Sequence, residues 1–195
     1  MTGSRRLSQA LSEGDGISVL VRVVDASGAE AAERQGAEGV VLDAAAPDVR
    51  AATALPLLVR GGTPDAAREA GADAWLLVAG RHGDDGDELE ARYAHARQLG
   101  LECVVDVGDE AELELALERV DPEIVLLSAR GRDEEDALDR VLELLFDLPA
   151  GKLAIAEVAS ITREEVVALE RAGVDAVLVD GGDVSHLVGG PAPEV

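Results

Sequence analysis

The ionisable side chains that could do chemistry follow short apolar runs. Arg22 and Asp25 close the first run, Asp43 the second and Arg60 the third. Arg81 and His82 follow the fourth, and Asp106 lies at the end of the fifth. Ser128 and Arg130 follow the sixth, Glu157 the seventh and Asp180 the eighth. Carboxylates such as Asp106 and Glu157 can exchange protons, and guanidiniums such as Arg60 and Arg130 can hold an anionic group. Gly181-Gly182, directly after the eighth run, is the best candidate for a phosphate cradle, although Asp180 beside it opposes an anion. The same residues also admit a purely structural use. Asp and Ser cap helices and form turns, and Arg–acid pairs satisfy one another.

Other constellations point less clearly to chemistry. Residues 80–87 hold His82 near several carboxylates but miss the spacing of a calcium loop, and read as a solvated connection. His95 shares a helical stretch with Arg92 and Arg97, which suits a surface position, and His186 has no ligand neighbour in sequence. Cys103 falls inside an apolar run, where a buried, inert thiol is expected. No metal site is expected.

The elements that must position these residues are regular. The apolar runs are 17–24, 39–42, 55–59, 74–78, 103–107, 124–127, 153–156 and 176–179. They are continuous, rich in Val, Leu and Ile, as parallel strands buried on both faces require. Helical patterns lie between them. Ser27-x-x-Glu30 and Thr162-x-x-Glu165 read as capping boxes, and Thr63-Pro64 as an N-cap followed by Pro at the first helical position. Residues 88–99, 110–118 and 133–145 repeat apolar side chains at three and four, while 47–54 gives only a short, Ala-rich helix. A repeat links the units. Residues 33–42, 68–77 and 170–179 each end a helix, turn on Gly36, Gly71 or Gly173, and enter a strand through an acidic and a small residue. A weaker copy surrounds Gly100.

Eight such units predict a single-domain (β/α)₈ barrel over 1–195, with a lead-in at 1–14 and a frayed tail at 189–195. An open doubly wound sheet would call for fewer strands and a dinucleotide or phosphate loop, and neither GxGxxG nor GxxxxGK[ST] is present. The eighth helix, 183–188, has room for one or two turns. In a barrel of this kind the strand C-termini and following loops form the working face, and the charged residues above all fall there.

Composition narrows the function classes. Forty acids against 17 bases give a net charge of −23, which excludes nucleic acid and anionic membrane surfaces as natural partners. No run is long enough to span a bilayer, and the N-terminus lacks a signal peptide's apolar stretch, so a cytoplasmic protein is expected. Cys103 is the only cysteine, so no internal disulfide can form. The chain contains no Asn and a single lysine, Lys152. That composition suits heat, high salt or a GC-rich genome.

Several segments resemble the indole-3-glycerol-phosphate synthase family of tryptophan biosynthesis. They are Leu99-Gly-Leu-Glu-Cys-Val-Val-Asp-Val-Gly-Asp-Glu-Ala-Glu-Leu113, Ile155-Ala-Glu-Val-Ala-Ser-Ile-Thr-Arg-Glu-Glu-Val166 and Ala172-Gly-Val-Asp-Ala-Val-Leu-Val179, with Leu55-Pro-Leu-Leu and Ala70-Gly-Ala-Asp-Ala74 extending the likeness. The resemblance implies a (β/α)₈ enzyme that closes an indole ring on an anilino-deoxyribulose phosphate, losing CO₂ and water without a cofactor. Carried over position by position, it implies Arg60, Asp106 and Glu157 as the catalytic positions. Arg22, Ser128, Arg130, Asp180, Gly181 and Gly182 become the substrate-binding positions.

The chain departs from the pattern at most of these. Arg22-Val23-Val24 stands where the family has Glu-x-Lys, Arg60 where it has a general-acid lysine, and Asp106 where it has Glu. Ser128 replaces an Asn, Val158-Ala159 the phosphate-holding Ser-Gly, and Asp180 the first Gly after the eighth strand; Arg130 and Glu157 match. The family's N-terminal extension and long loop after strand one are expected to be missing here too, only Asp25-Ala26 separating the strand from the cap. The expectation is therefore a relative that has lost the synthase activity or drifted from it. The alternatives are a protein acting on a small phosphorylated or carboxylate ligand with Asp106 and Glu157 as acid–base groups, or residual synthase (carboxy-lyase) activity. Nothing in the sequence sets an oligomeric state.

Overall fold

Val, Leu and Ile runs of this length cross a sheet once and then have no polar face to offer solvent, so they must be covered on both sides. The computed structural model, which describes residues 6–13, 16–80, 86–130, 137–158 and 161–188, shows how. The strands are β1 (Ser18–Arg22), β2 (Gly39–Leu42), β3 (Leu57–Val59), β4 (Ala74–Val78), β5 (Glu102–Val107), β6 (Ile124–Leu127), β7 (Leu153–Glu157) and β8 (Ala176–Val179). They pair in parallel in sequence order, and β8 closes on β1. Helices α2 (Ala26–Arg34), α3 (Pro47–Ala52), α4 (Pro64–Glu69), α5 (Asp87–Gln98), α6 (Glu110–Arg119), α7 (Ala137–Asp147) and α8 (Arg163–Ala172) connect them. The architecture is a (β/α)₈ barrel.

Alternate residues of every strand point inward, and the register sorts them into layers, each drawn from alternate strands. Leu20, Leu58, Val104 and Ile155 form one apolar layer from the odd strands. Val41, Leu76, Leu126 and Leu178 form the next from the even strands. Above them the odd strands contribute Arg22, Arg60, Asp106 and Glu157, so the barrel changes from hydrocarbon to charge within one layer. Outward residues such as Val19, Trp75, Val105 and Val177 pack under the helices in a second apolar shell. Trp75 is the one aromatic among the largest fully buried side chains, so aliphatic packing carries this core.

The bottom of the barrel is closed by α1 (Leu7–Ser12), which falls within the expected lead-in at 1–14. Leu7 and Leu11 fill the space under the apolar layers. Glu102, at the start of β5, accepts hydrogen bonds from the Leu7 and Ser8 amides (2.6 and 3.3 Å) and from the Ser8 hydroxyl. Gly39 makes this fit possible, because a Cβ there would lie 2.7 Å from Leu20 Cδ2.

Helix starts follow the expected chemistry with one correction. Thr162 and Glu165 form a reciprocal capping box, and Thr63 caps α4 ahead of Pro64. At α2 the cap is Asp25, not Ser27: the Asp25 carboxylate accepts from the Gly28 amide at 2.8 Å, and the helix begins two residues earlier than a Ser27 cap requires. The Asp25 carboxylate, carried on extended backbone, satisfies that N–H, leaving Ser27 inside the first turn.

The repeat glycines Gly36, Gly71 and Gly173 have φ of 90°, 78° and 101°, as the helix-ending turn requires. The acids beside two of them have a shared duty. Asp73 accepts from the Leu57 amide (2.9 Å) and Asp175 from the Ala154 amide (2.8 Å), each tying a turn to the preceding strand. The short 47–54 helix forms over Pro47–Ala52, and α7 is described from Ala137, the residues 131–136 before it lying outside the described ones. After β8 the chain makes a single turn, with Leu187 N donating to Val184 O, and Val184 and Leu187 are buried in the outer apolar shell. The tail at 189–195 lies outside the described residues.

Candidate functional site at the barrel mouth

Arg22, Arg60, Asp106 and Glu157 meet because they end or follow odd strands of a staggered barrel. Two cations and two acids fill one layer. Glu157 sits between the guanidiniums: Arg60 donates to both of its oxygens, through Nη1 to Oε1 and Nη2 to Oε2 (3.1 Å), and Arg22 Nη2 donates to Oε1 at 2.5 Å. Arg22 also pairs with Asp180 at 3.1 Å and lies 3.8 Å from Asp43. Its Nε is buried without a hydrogen-bond partner. Burial works against the Arg60 charge, but the hydrogen bond and charge of Glu157 outweigh it, so the guanidinium is held still more firmly protonated.

Asp106 forms the other half of the layer and is 1% exposed. Its Oδ1 accepts from the Ser128 hydroxyl (2.6 Å) and from Arg130 Nε (3.2 Å), and Arg130 Nε also contacts Ser128 Oγ at 3.1 Å. Oδ2 is buried with no hydrogen-bond partner. Burial pushes the Asp106 carboxyl up from the ordinary aspartate range; Ser128, Arg130 and Arg60 pull it back, and the Glu157 charge adds to the rise. Asp106 is thus the one carboxyl of the layer with an uncommitted oxygen.

Arg130 is anchored on its far side by Glu112, which also accepts from the Gly108 amide at 2.7 Å. Glu112 does not stand out as a site residue in the sequence. The readable signal is the D-x-x-E pattern at Asp109, which caps α6 by accepting from the Glu112 amide at 2.9 Å.

The rim is tight. A Cβ at Gly61 would lie 2.2 Å from Asp43 O, and one at Gly181 would lie 2.8 Å from Arg22 O. Gly181 therefore lets the β8 loop pass close to the β1 backbone, and Gly182 follows at φ 152°. The structure thus gathers the candidates into two bonded groups at the strand C-termini, Arg22, Arg60, Glu157 and Asp180 in one and Asp106, Ser128 and Arg130 in the other, with Gly181 and Gly182 at the rim. Each guanidinium already holds a carboxylate.

The remaining candidates fall elsewhere. Arg81, His82 and Ala159 lie outside the described residues. Cys103 is buried under the helices, where desolvation pushes its thiol up to about 12. His95 is exposed and pairs with Asp65 at 2.8 Å, and His186 is exposed in the final turn. Among the described residues no group of three or more His, Cys, Asp or Glu is placed to hold a metal ion, and no helix is long and apolar enough to cross a membrane.

The family model for indole-3-glycerol phosphate synthase matches residues 64–184, from α4 to the turn after β8. That span includes Asp106, Ser128, Arg130, Glu157 and Asp180. Among curated proteins, the indole-3-glycerol phosphate synthase of Variovorax paradoxus (strain S110) is 39% identical over 135 residues, 67% of this chain and 50% of that protein. Those of Albidiferax ferrireducens and Burkholderia vietnamiensis (strain G4 / LMG 22486) are 36% and 33% identical, over 67% and 68% of this chain and 50% and 52% of theirs. The chain spans about half the length of the curated relatives it matches. The barrel, the match across more than half of it and the charged residues at its strand ends together show that this chain belongs to the indole-3-glycerol phosphate synthase family.

Proposed function

We propose that this chain is a diverged member of the family that does not close the indole ring, its mouth being converted into a self-neutralised layer. The observation that carries the reading is the clamp of Arg60 on Glu157. The resemblance calls for a proton-donating lysine at position 60. A guanidinium does not release its proton near neutral pH, and this one is bound through two nitrogens to the carboxylate that would otherwise face substrate. Removing one proton-transfer group slows such chemistry by about 10²–10⁴-fold. Here Lys152, the only lysine, precedes β7 and pairs with Asp121 at 2.5 Å, away from the mouth.

The substrate's phosphate would also have to displace a carboxylate from Arg22, Arg60 or Arg130, stranding a partly buried acid. Expression in a tryptophan-requiring strain lacking this enzyme tests the reading, with soluble protein confirmed. Growth that still depends on added tryptophan is the expected result, and growth without it would overturn the proposal.

A further inference from the structure

We infer that the outer face of α7 is a protein-docking surface, on which Phe146 enters an apolar pocket that the partner edges with lysine or arginine. The inference does not depend on the reading of the barrel mouth.

The ridge comes first. The chain has three aromatic side chains, Trp75, Tyr93 and Phe146. Trp75 is 1% exposed under the helices, whereas Phe146 is 90% exposed. Among the described residues three large apolar side chains are exposed, and two of them, Leu142 and Phe146, lie four residues apart on α7. That spacing sets them side by side on one helix face, so they form a ridge rather than scattered single contacts. The helix does not use this ridge for its own packing. Val141 and Leu144 are buried in the core, and Leu138 and Leu145 pack at the edge of the same cluster. An aromatic ring left in water once the core is filled is the residue type that most often anchors a protein interface.

The charges around the ridge decide what it fits. Asp139, Glu143 and Asp147 are exposed beside it, and α6, packed next to α7, shows Glu114 and Glu118 to solvent. The arginine of α7 is withdrawn from this face. Arg140 is buried, with Nε donating to Gly108 O (3.2 Å) and Nη1 to Glu110 (2.7 Å) and Glu143 (3.0 Å). Lys152, which follows the helix, is turned to Asp121. The exposed side chains of α7 are thus hydrocarbon and carboxylate, with no cation among them.

That combination selects the occupant. A second copy of this chain would set the same acids against one another, and each copy carries −23. An anionic membrane surface would be repelled by the same charges. A protein surface edged with lysine or arginine is attracted by them at long range, and the complex is then held by burial of the ring.

The test is an amide NMR titration of the full chain at about 0.15 M sodium chloride, with a short helical peptide carrying leucine on one face and lysine along both edges. An equally charged peptide with glycine in place of every leucine, and vesicles of phosphatidylcholine with phosphatidylglycerol, are run in parallel. Saturable shifts centred on residues 142–147 are expected with the leucine peptide, weakened about tenfold or more in Phe146→Ser and by less in Asp147→Asn. Both side chains are exposed, so these variants keep the fold, and amide dispersion checks that. Saturation by the glycine peptide at the same amides, or leucine-peptide binding unchanged in Phe146→Ser, would overturn the inference. Vesicle binding that is lost in Phe146→Ser would also overturn it, by making the face a membrane anchor. Sedimentation of the chain alone should match that of Phe146→Ser; a dimer that dissociates in the variant would make a second copy the occupant and refute the proposal.

Discussion

Glu157 and Asp106 share a layer but stand in opposite electrostatic situations. Glu157 pairs with both Arg22 and Arg60 and so holds two guanidiniums together. Glu157→Gln should destabilise the fold by about 2–4 kcal/mol, near the lower end for breaking a buried pair because the site is partly solvated. Urea denaturation checks this, and a change under about 0.5 kcal/mol, typical of surface substitutions, would contradict the placement. Asp106 behaves differently because burial raises its carboxyl above the unfolded value. Between the unfolded and folded values the native state binds more protons, so this group's contribution to stability falls as pH rises through that window. Asp106→Asn removes the titration. Its denaturation midpoint should therefore gain on the parent's as pH goes from about 4 to 7, and a pH-independent difference would contradict the assignment. The identities of these residues were legible in the sequence, since a charge ending an apolar run is visible there. Their partners were not. That Arg22, Arg60, Asp106 and Glu157 lie in one layer follows from the stagger of eight paired strands, which no local pattern encodes.

Among the elements, α1 does the most for its length. Six residues close the barrel floor, with Leu7 and Leu11 as the fill and Glu102 as a cap supplied by β5. Leu7→Ala should cost about 2–4 kcal/mol, the usual range for emptying a packed leucine site, and should speed amide exchange across residues 7–12. Exchange unchanged from the parent would mean that α1 is not docked as described. Gly39→Ala should destabilise by about 1–3 kcal/mol through overpacking against Leu20. The strands were readable because doubly buried parallel strands must be continuous apolar runs. The α1 helix was not, because six residues show too little periodicity and their cap lies 95 positions away. Ser27 misled for a related reason: it meets the capping pattern, but Asp25, two residues earlier, supplies the cap and draws Ser27 into the first turn.

At the scale of the whole molecule, a charge of −23 sits on a 195-residue chain whose barrel interior is ordinary aliphatic packing. Self-repulsion of that size opposes the compact state, and salt shortens its reach from about 10 Å at 0.1 M to about 3 Å at 1 M. The urea midpoint should therefore rise between 0.05 and 1 M sodium chloride, and a flat or falling midpoint would contradict a repulsion-limited surface. The barrel and its family were legible because βα units repeat with the same glycine turn, and those turns are structural. Function was less legible because it depends on whether charged groups at the mouth face a ligand or one another. Among the described residues they are bonded to one another, with Arg22 Nε and Asp106 Oδ2 buried and unpaired. The central claim, that this mouth no longer performs the family's ring closure, is tested most directly by incubating the purified chain with the anilino-deoxyribulose phosphate substrate and following indole fluorescence. No product above the enzyme-free rate is predicted; sustained turnover that scales with protein concentration would contradict it.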